Sequence, residues 1–238
     1  MFEFAKSALA HLGIDVRRVS SATRFAKRLN LVLEHIGSDC VLDVGANRGQ
    51  FALDLRRNGF EGKIISFEPL TDAHQMLEKA AKSDPDWIVH PRAVVGEDCG
   101  ETMINISENS VSSSVMGMTK AHTGAHAASQ YIGSECVEKT TIDSVVDVYK
   151  IDATSTFIKV DTQGYEWQVL DGASEFLQQC PGLLLESSLI ELYEGQRLWL
   201  EIVGRMKSLG FQVWSVDRGF FDPRNGRTLQ CDLVFVRE

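Results

Sequence analysis

The sequence predicts one α/β domain: a mostly parallel sheet between two layers of helices, with an antiparallel edge strand. Three observations predict it. From residue 40 onward, short apolar runs alternate with stretches of helical spacing, the pattern of repeated β-α-β units. The first run, VLDVGANRGQF at 41–51, passes through a glycine-bracketed turn into a helix. The last two runs, 211–216 and 230–236, follow each other with no helical pattern between them, which closes such a sheet with antiparallel pairing.

The elements follow in order. Residues 2–12 and 22–37 have helical spacing; Phe25, Leu29, Val32, Leu33 and Ile36 recur at i, i+4, i+7, i+8 and i+11, one face of a helix. Residues 1–37 form an N-terminal helical extension and residues 38–238 the domain proper. Strands are expected at 40–44, 63–67, 87–90, 156–160 and 182–186, and helices at 48–58, 71–82, 164–179 and 196–209. The stretch 100–155 breaks the rhythm. Short strands are expected at 101–106 and 135–141, and between them residues 107–134 are rich in Ser, Gly, Ala and His. An insertion of that length without a hydrophobic pattern reads as a lid or an acceptor-binding loop, or as a plain surface loop.

Composition narrows the function classes. The 238 residues suffice for a large buried core, and 44% are hydrophobic, the make-up of an ordinary globular chain. A formal charge of −9 argues against a nucleic-acid partner. Residues 1–30 depart from that balance: Lys6, Arg17, Arg18, Arg24, Lys27 and Arg28 stand against Glu3 and Asp15, a net +4, so the rest carries −13. Such a segment suits peripheral contact with an anionic membrane surface, docking on the domain, or contact with a second subunit. Five scattered cysteines without a C-x-x-C pair, no secretory pattern and no long apolar run suggest a cytoplasmic protein, either free or peripheral at the inner face of a membrane.

The turn at 41–51 carries the strongest local chemistry. Gly45 and Gly49 permit positive φ and close approach of a ligand. The helix that follows offers N–H groups and a positive dipole end to a carboxylate or a phosphate. Asp43, at the end of the strand, can face a cationic group, and Glu68, ending the second strand in SFEP, can accept hydrogen bonds from both hydroxyls of a ribose. The dinucleotide pattern G-x-G-x-x-G and the P-loop pattern are both missing, which disfavours an NAD oxidoreductase and a P-loop enzyme. The spacing favours S-adenosylmethionine, with Asp43, Gly45, Asn47, Gly49, Glu68 and Pro69 as candidate cofactor-binding residues.

Later motifs sharpen the reading. VLDVGANRGQF, ISFEP, FIKVDTQGYEWQVLDGA (157–173), LLLESSLIELYEGQ (183–196) and GRTLQCDLVFVR (226–237), in that order and spacing, resemble the FkbM family of methyltransferases. The resemblance covers roughly residues 38–237. It implies a Rossmann-like class I methyltransferase fold, S-adenosylmethionine as methyl donor, and O-methylation, often of sugars on glycolipids, polysaccharides or polyketides. Gln163 departs from the family pattern, which commonly has an acidic residue before the glycine.

The acceptor chemistry is expected beyond the carboxyl ends of the strands. Asp161 and Glu186 end neighbouring strands there. A hydroxyl is a poor nucleophile, so a general base helps; Asp161 is the first candidate, with Glu186, His122 and then His126 beside it. The bland alternatives are plain. A strand-end carboxylate can simply cap the next helix, Glu166 can serve only the helix dipole, the histidines can be solvated loop residues, and Tyr165, Trp167, Tyr193 and Glu194 can be packing or loop groups. A divalent cation such as magnesium held by Asp161 and Glu186 would rival a protein base, but no D-x-D cluster supports it and no metal ligands are assigned. The readings carried forward are a sugar O-methyltransferase with a small-molecule or glycolipid acceptor, a methyltransferase of a lipid or polyketide hydroxyl, and a non-catalytic donor-binding module. A homo-oligomer is compatible with all three.

Overall fold

A computed structural model describes Leu9, His11, Gly13, Ile14 and residues 24–237. The helix expected at 2–12, and Lys6, Arg17 and Arg18 of the basic segment, lie outside the described residues.

A seven-stranded sheet forms the centre. It contains β1 (Cys40–Val44), β2 (Lys63–Phe67), β3 (Trp87–Val89), β7 (Thr156–Val160), β8 (Gly182–Ser188), β9 (Phe211–Arg218) and β10 (Gln230–Arg237). Its order is β3-β2-β1-β7-β8-β10-β9. The first five in that order run parallel, and β10 inserts antiparallel between β8 and β9. The chain order reverses between β1 and β7, and ligands of open α/β sheets bind at such a switch point. Every residue of β1 and β7 is buried, because helices cover both faces.

Strand alternation sorts the core into two layers. On one face Val41, Ile64, Phe157, Leu184 and Val234 pack against α1 (Phe25–His35), α2 (Gln50–Arg57) and α3 (Thr71–Ala81). Leu29, Val32 and Leu33 of α1 are buried there, so the second N-terminal helix docks on the domain. On the other face Leu42, Val44, Ile65, Ile158 and Leu185 pack against α5 (Ile142–Tyr149), α6 (Glu166–Asp171) and α7 (Trp199–Ser208). This is the three-layer Rossmann-like arrangement that the alternation predicts.

The stretch 100–155 is more structured than its sequence suggests. Strands β4 (Ala93–Val95), β5 (Gly100–Ser107) and β6 (Tyr131–Thr140) form a second sheet in the order β4-β6-β5. Between β5 and β6, the insertion carries a short helix α4 (Lys120–Ala125) and a net of serine and asparagine hydrogen bonds, in which Asn109 accepts from Ser112 N–H at 3.0 Å and Ser107 N–H donates to Ser113 Oγ at 2.9 Å. Helix α5 has no counterpart in the periodicity reading. Thr141 starts it, accepting from the Ser144 N–H at 3.0 Å, a cap that fixes a short helix. The helix expected over 164–179 stops at Asp171. Asp143 then takes the N–H groups of Glu175 and Phe176 at 3.0 and 2.9 Å, which starts a separate 3₁₀ turn.

Candidate active site

A cavity of about 330 Å³ opens at the carboxyl ends of β1, β2, β7 and β8. One end is apolar, walled by Leu70, Val94 and Ile104, and Ser110, Val111 and Val115 of the insertion also line the cavity. Glu68 borders this end and is 4% exposed. Its carboxylate accepts from the N–H of Asn47 at 2.8 Å and of Leu70 at 2.9 Å. A carboxylate has about four acceptor sites, so two remain for a ligand diol. Burial pushes the Glu68 pKa up to about 7 against those two hydrogen bonds.

Gly45 turns the chain between this end and the next, at φ +76°. A Cβ there would press on the Asp161 carbonyl oxygen and sit 2.9 Å from its carbon. The glycine is therefore required by the close approach of two strand ends as well as by its φ. Gly49, at φ +86°, abuts the Trp87 and Leu77 side chains and serves the packing of α2 on the sheet.

The other end of the cavity is charged. Lys159 lies on the same sheet face as Phe157 and is 5% exposed. Its ammonium is 3.1 Å from Asp43 and 3.7 Å from Asp161, and it donates to the carbonyls of Gly45 at 2.8 Å and Val44 at 3.2 Å. Burial alone would lower its pKa, but the carboxylates of Asp43 and Asp161 outweigh that and hold it above its ordinary value. The Asp161 side chain is 39% exposed and faces the cavity. Glu186 and Asp232 line the same end, with Phe25 and Phe51 beside them. Burial, reinforced by the neighbouring Asp161 charge, raises Glu186 well above its usual range and pushes Asp232 up to about 7. An acid at that value exchanges protons near neutrality, as general acid–base work needs.

The model of the FkbM methyltransferase domain matches residues 43–213. The chain belongs to the FkbM methyltransferase family. As a member it is an S-adenosylmethionine-dependent methyltransferase. No curated relative matches the sequence. Among solved structures, the chain is similar to magnesium protoporphyrin IX methyltransferase of Synechocystis with bound S-adenosylmethionine, at 10% identity and TM-score 0.46, covering 90% of this chain and 80% of that one. It is also similar to Mycoplasma capricolum TrmK with S-adenosyl-homocysteine, at 8% identity and TM-score 0.46, covering 89% and 68%. A third is TehB of Haemophilus influenzae, at 9% identity and TM-score 0.47, covering 89% and 62%.

The cavity fits the methyl donor of an FkbM enzyme. Glu68 has spare acceptor sites for a ribose, and the slot at Leu70, Val94 and Ile104 suits an aromatic base. Of the residues singled out in the sequence, Gly45, Asn47, Glu68, Pro69, Asp161 and Glu186 all line this one cavity. Two expectations need correction. Asp43 is fully buried, paired with Lys159 and, at 3.3 Å, with the Ser66 hydroxyl, so its carboxylate does not face a ligand. The N–H groups of the turn itself, residues 45–49, are engaged within the protein, and the helix begins after them at Gln50. Gly45 and Ala46 donate to the Phe67 carbonyl, Asn47 to Glu68, Arg48 to the side chains of Asn47 and Gln50, and Gly49 to the Ala46 carbonyl. His122 is neither a cavity group nor a solvated one. It is 3% exposed, wedged between the rings of Tyr193 and Phe220 at centroid distances of 5.1 and 5.3 Å, and burial depresses its pKa to about 4. His126 is exposed and approaches Ser129 at 3.3 Å.

Other residues take up parts that the first reading left open. Glu166 is buried and accepts from the N–H of Thr162 at 2.9 Å and of Gly164 at 3.1 Å, so it holds the turn after β7 together. Lys159, Gln230 and Asp232 were missed. A charged residue inside an unbroken apolar strand, as in FIKV and CDLVFV, is the signal that would have found Lys159 and Asp232, because such a residue is buried only with a partner. Among the described residues, no group of three or more His, Cys, Asp or Glu side chains is placed to hold a metal ion, and no helix is long and apolar enough to cross a membrane.

Proposed function

We propose that the chain is an O-methyltransferase acting on a sugar hydroxyl of a glycolipid or other glycosylated metabolite. The observation that carries this reading is the convergence of Asp161, Glu186 and Asp232 around Lys159 at one end of the cavity, next to the donor end marked by Glu68. Bound S-adenosylmethionine supplies an electrophilic methyl group. Glu68 and the turn at Gly45 orient the donor. Asp161, the exposed member of the acidic group, receives the hydroxyl proton as the oxygen attacks. Lys159, with its ammonium 3.7 Å from Asp161, places a positive charge beside the carboxylate that accepts the proton. Much of the rate comes from holding the oxygen in line with the sulfur–carbon bond, and the base adds about 10²–10⁴-fold. Phe25 and Phe51 provide an apolar wall suited to the C–H face of a pyranose, and the converging carboxylates suit its hydroxyls. A wholly lipidic acceptor would leave those polar groups unmatched, at a cost.

The test uses S-adenosylmethionine carrying a tritiated methyl group and a total glycolipid extract. The expected outcome is label in an acid-stable O-methyl sugar, with Asp161→Asn reducing turnover more than about tenfold while donor affinity changes less. Donor binding with no transfer to any sugar would overturn the acceptor assignment. Normal turnover by Asp161→Asn would remove that residue from the mechanism.

A further inference from the structure

The turn after β7 carries an unusual residue. Gln163 has φ +56°, a left-handed conformation uncommon for a residue other than glycine. It is held there from both sides. The Ser114 hydroxyl donates to the Gln163 carbonyl at 2.7 Å. The next residue, Gly164 at φ +97°, lies so close to Tyr193 that a Cβ on it would come within 2.7 Å of the Tyr193 Cβ. Strain of this kind persists only where the surroundings over-determine it, and it gathers at functional sites.

The conformation sends the side chain into the acidic end of the cavity. Gln163 Nε2 donates to Asp161 Oδ1 and to Glu186 Oε2, both at 2.7 Å. Its Oε1 accepts from the Tyr193 hydroxyl at 2.7 Å. Glu186 Oε2 also accepts from Gln230 Nε2 at 2.9 Å. Both amide protons are therefore used, each on a carboxylate. The opposite amide orientation would set Oε1 against two carboxylate oxygens, so the network itself assigns which end is nitrogen. The Tyr193 ring is buried and rests edge-on against His122, so the hydroxyl that orients the amide has little freedom of its own.

We propose that Gln163 is the positioning residue of the acceptor site: its amide, aligned by the Tyr193 hydroxyl, bridges Asp161 and Glu186 and holds the two carboxylates side by side in the place a divalent cation would otherwise fill. The assignment of Asp161 as the receiving base rests on the function proposed above; the bridge itself rests only on the geometry. Two carboxyl groups held close together need donors or a cation between their oxygens. Here two N–H groups on one neutral atom do that work. An acidic residue at the same position would put three carboxylates together, a set of hard oxygen ligands.

The experiment compares the full chain with Gln163→Glu, Gln163→Ala and Tyr193→Phe. The first readout is manganese binding followed by electron paramagnetic resonance, with thermal melting at pH 8 in the presence and absence of magnesium. The wild type should melt at the same temperature with and without the cation. Gln163→Glu should bind manganese at least about tenfold more tightly than the wild type, and its melting temperature should rise with magnesium or with acidification. A Gln163→Glu chain that folds only with magnesium also supports the bridge. The second readout is nuclear magnetic resonance of the side-chain amide, assigned by its loss in Gln163→Ala. Both Nε2 protons should be protected from exchange in the wild type and lose that protection in Tyr193→Phe. The third is methyl transfer to the glycolipid extract. Tyr193→Phe should lower kcat about tenfold and leave the KM for S-adenosylmethionine unchanged. Amide protons that exchange like those of a free side chain, or a Gln163→Glu chain indifferent to cations and pH, would overturn the proposal. Neither of the first two readouts needs an acceptor, so a wrong acceptor would silence the third alone.

Discussion

Replacing Gly45 with alanine should damage the fold before it damages the cofactor site. The added Cβ meets the Asp161 backbone, with the carbonyl carbon at 2.9 Å and the oxygen nearer. Two terms add. A non-glycine residue at positive φ costs about 1–2 kcal/mol. The ends of β1 and β7 must also part by roughly 1 Å or more to restore van der Waals separation, which strains the hydrogen bond from Asp161 N–H to the Val44 carbonyl at 3.1 Å; losing a buried backbone bond costs about 1–3 kcal/mol. The sum is about 3 kcal/mol or more, and for a chain of this size about 2–4 °C of melting temperature accompanies each kcal/mol. The expected loss is thus roughly 6–12 °C. Gly226→Ala is the control: it has φ +75° and nothing within 4 Å of its Cβ position, so it should lose only the conformational term, about 1–2 kcal/mol or roughly 2–8 °C. Calorimetry of both variants, each with and without S-adenosylmethionine, makes the comparison. The wild type and Gly226→Ala should gain stability from the ligand and Gly45→Ala should gain little. If Gly45→Ala melts no lower than Gly226→Ala, the strand-contact argument is wrong and the glycine serves only the turn.

Three further predictions follow from the same geometry. Glu68, Glu166 and Asp232 have pKa values raised to about 7 by burial; a raised value gives stability that is full below the unfolded value and lost as pH rises through the folded one, so urea unfolding should show stability falling between about pH 4.5 and 7, and Glu166→Gln should flatten the fall. Lys159→Met leaves Asp43 buried without its partner and should cost about 3–5 kcal/mol, whereas Lys159→Met with Asp43→Asn should recover much of that stability without recovering turnover; equal stability of the single and double variants would refute the pairing. Arg24 and Arg28 are engaged by Asp54 and Asp217 while Lys27 is exposed; any binding to anionic vesicles should weaken with salt and be removed by deletion of residues 1–20, which takes away Lys6, Arg17 and Arg18, and a full-length chain left in the supernatant at low salt would exclude that contact.

The layers of the fold were readable because they follow from periodicity. Burial on two faces makes β1, β7 and β8 continuous apolar runs, and the spacing of Leu29, Val32 and Leu33 fixes the docked face of α1. What escaped depends on contacts distant in sequence. Helix α5 is short and begins at a Thr–Ser cap whose weight appears only when Thr141 and Ser144 meet. His122 looked like a loop base until Tyr193 and Phe220 closed over it. Asp43 illustrates a subtler failure. Its place at a strand end suggested a ligand contact, yet alternation puts it on the face of Val41, and the register sets it beside Lys159. The residues held that information, but only the pairing of β1 with β7 releases it.

That pairing also explains how one cavity can have two different ends. The end at Glu68 is controlled by backbone: Gly45 lets the strand ends meet, and Glu68 gives two acceptor sites to the N–H groups of Asn47 and Leu70. The other end is controlled by side-chain charge, and its acids are not equivalent. Asp43 is consumed by Lys159, Glu186 by the amides of Gln163 and Gln230, and Asp232 sits in surroundings that favour its protonated form. Asp161 is left as the exposed carboxylate, with one oxygen on Gln163 and the other 3.7 Å from Lys159. Fixed donors on Asp43 and Glu186 leave Asp161 as the carboxylate to which the proposed function assigns the incoming hydroxyl. Phe25 and Asp232, which also border this end, lie outside residues 43–213. The shape of the charged end is therefore set in part by α1 and β10, and on the proposed function substitutions there should change which acceptor fits while leaving the end at Glu68 intact.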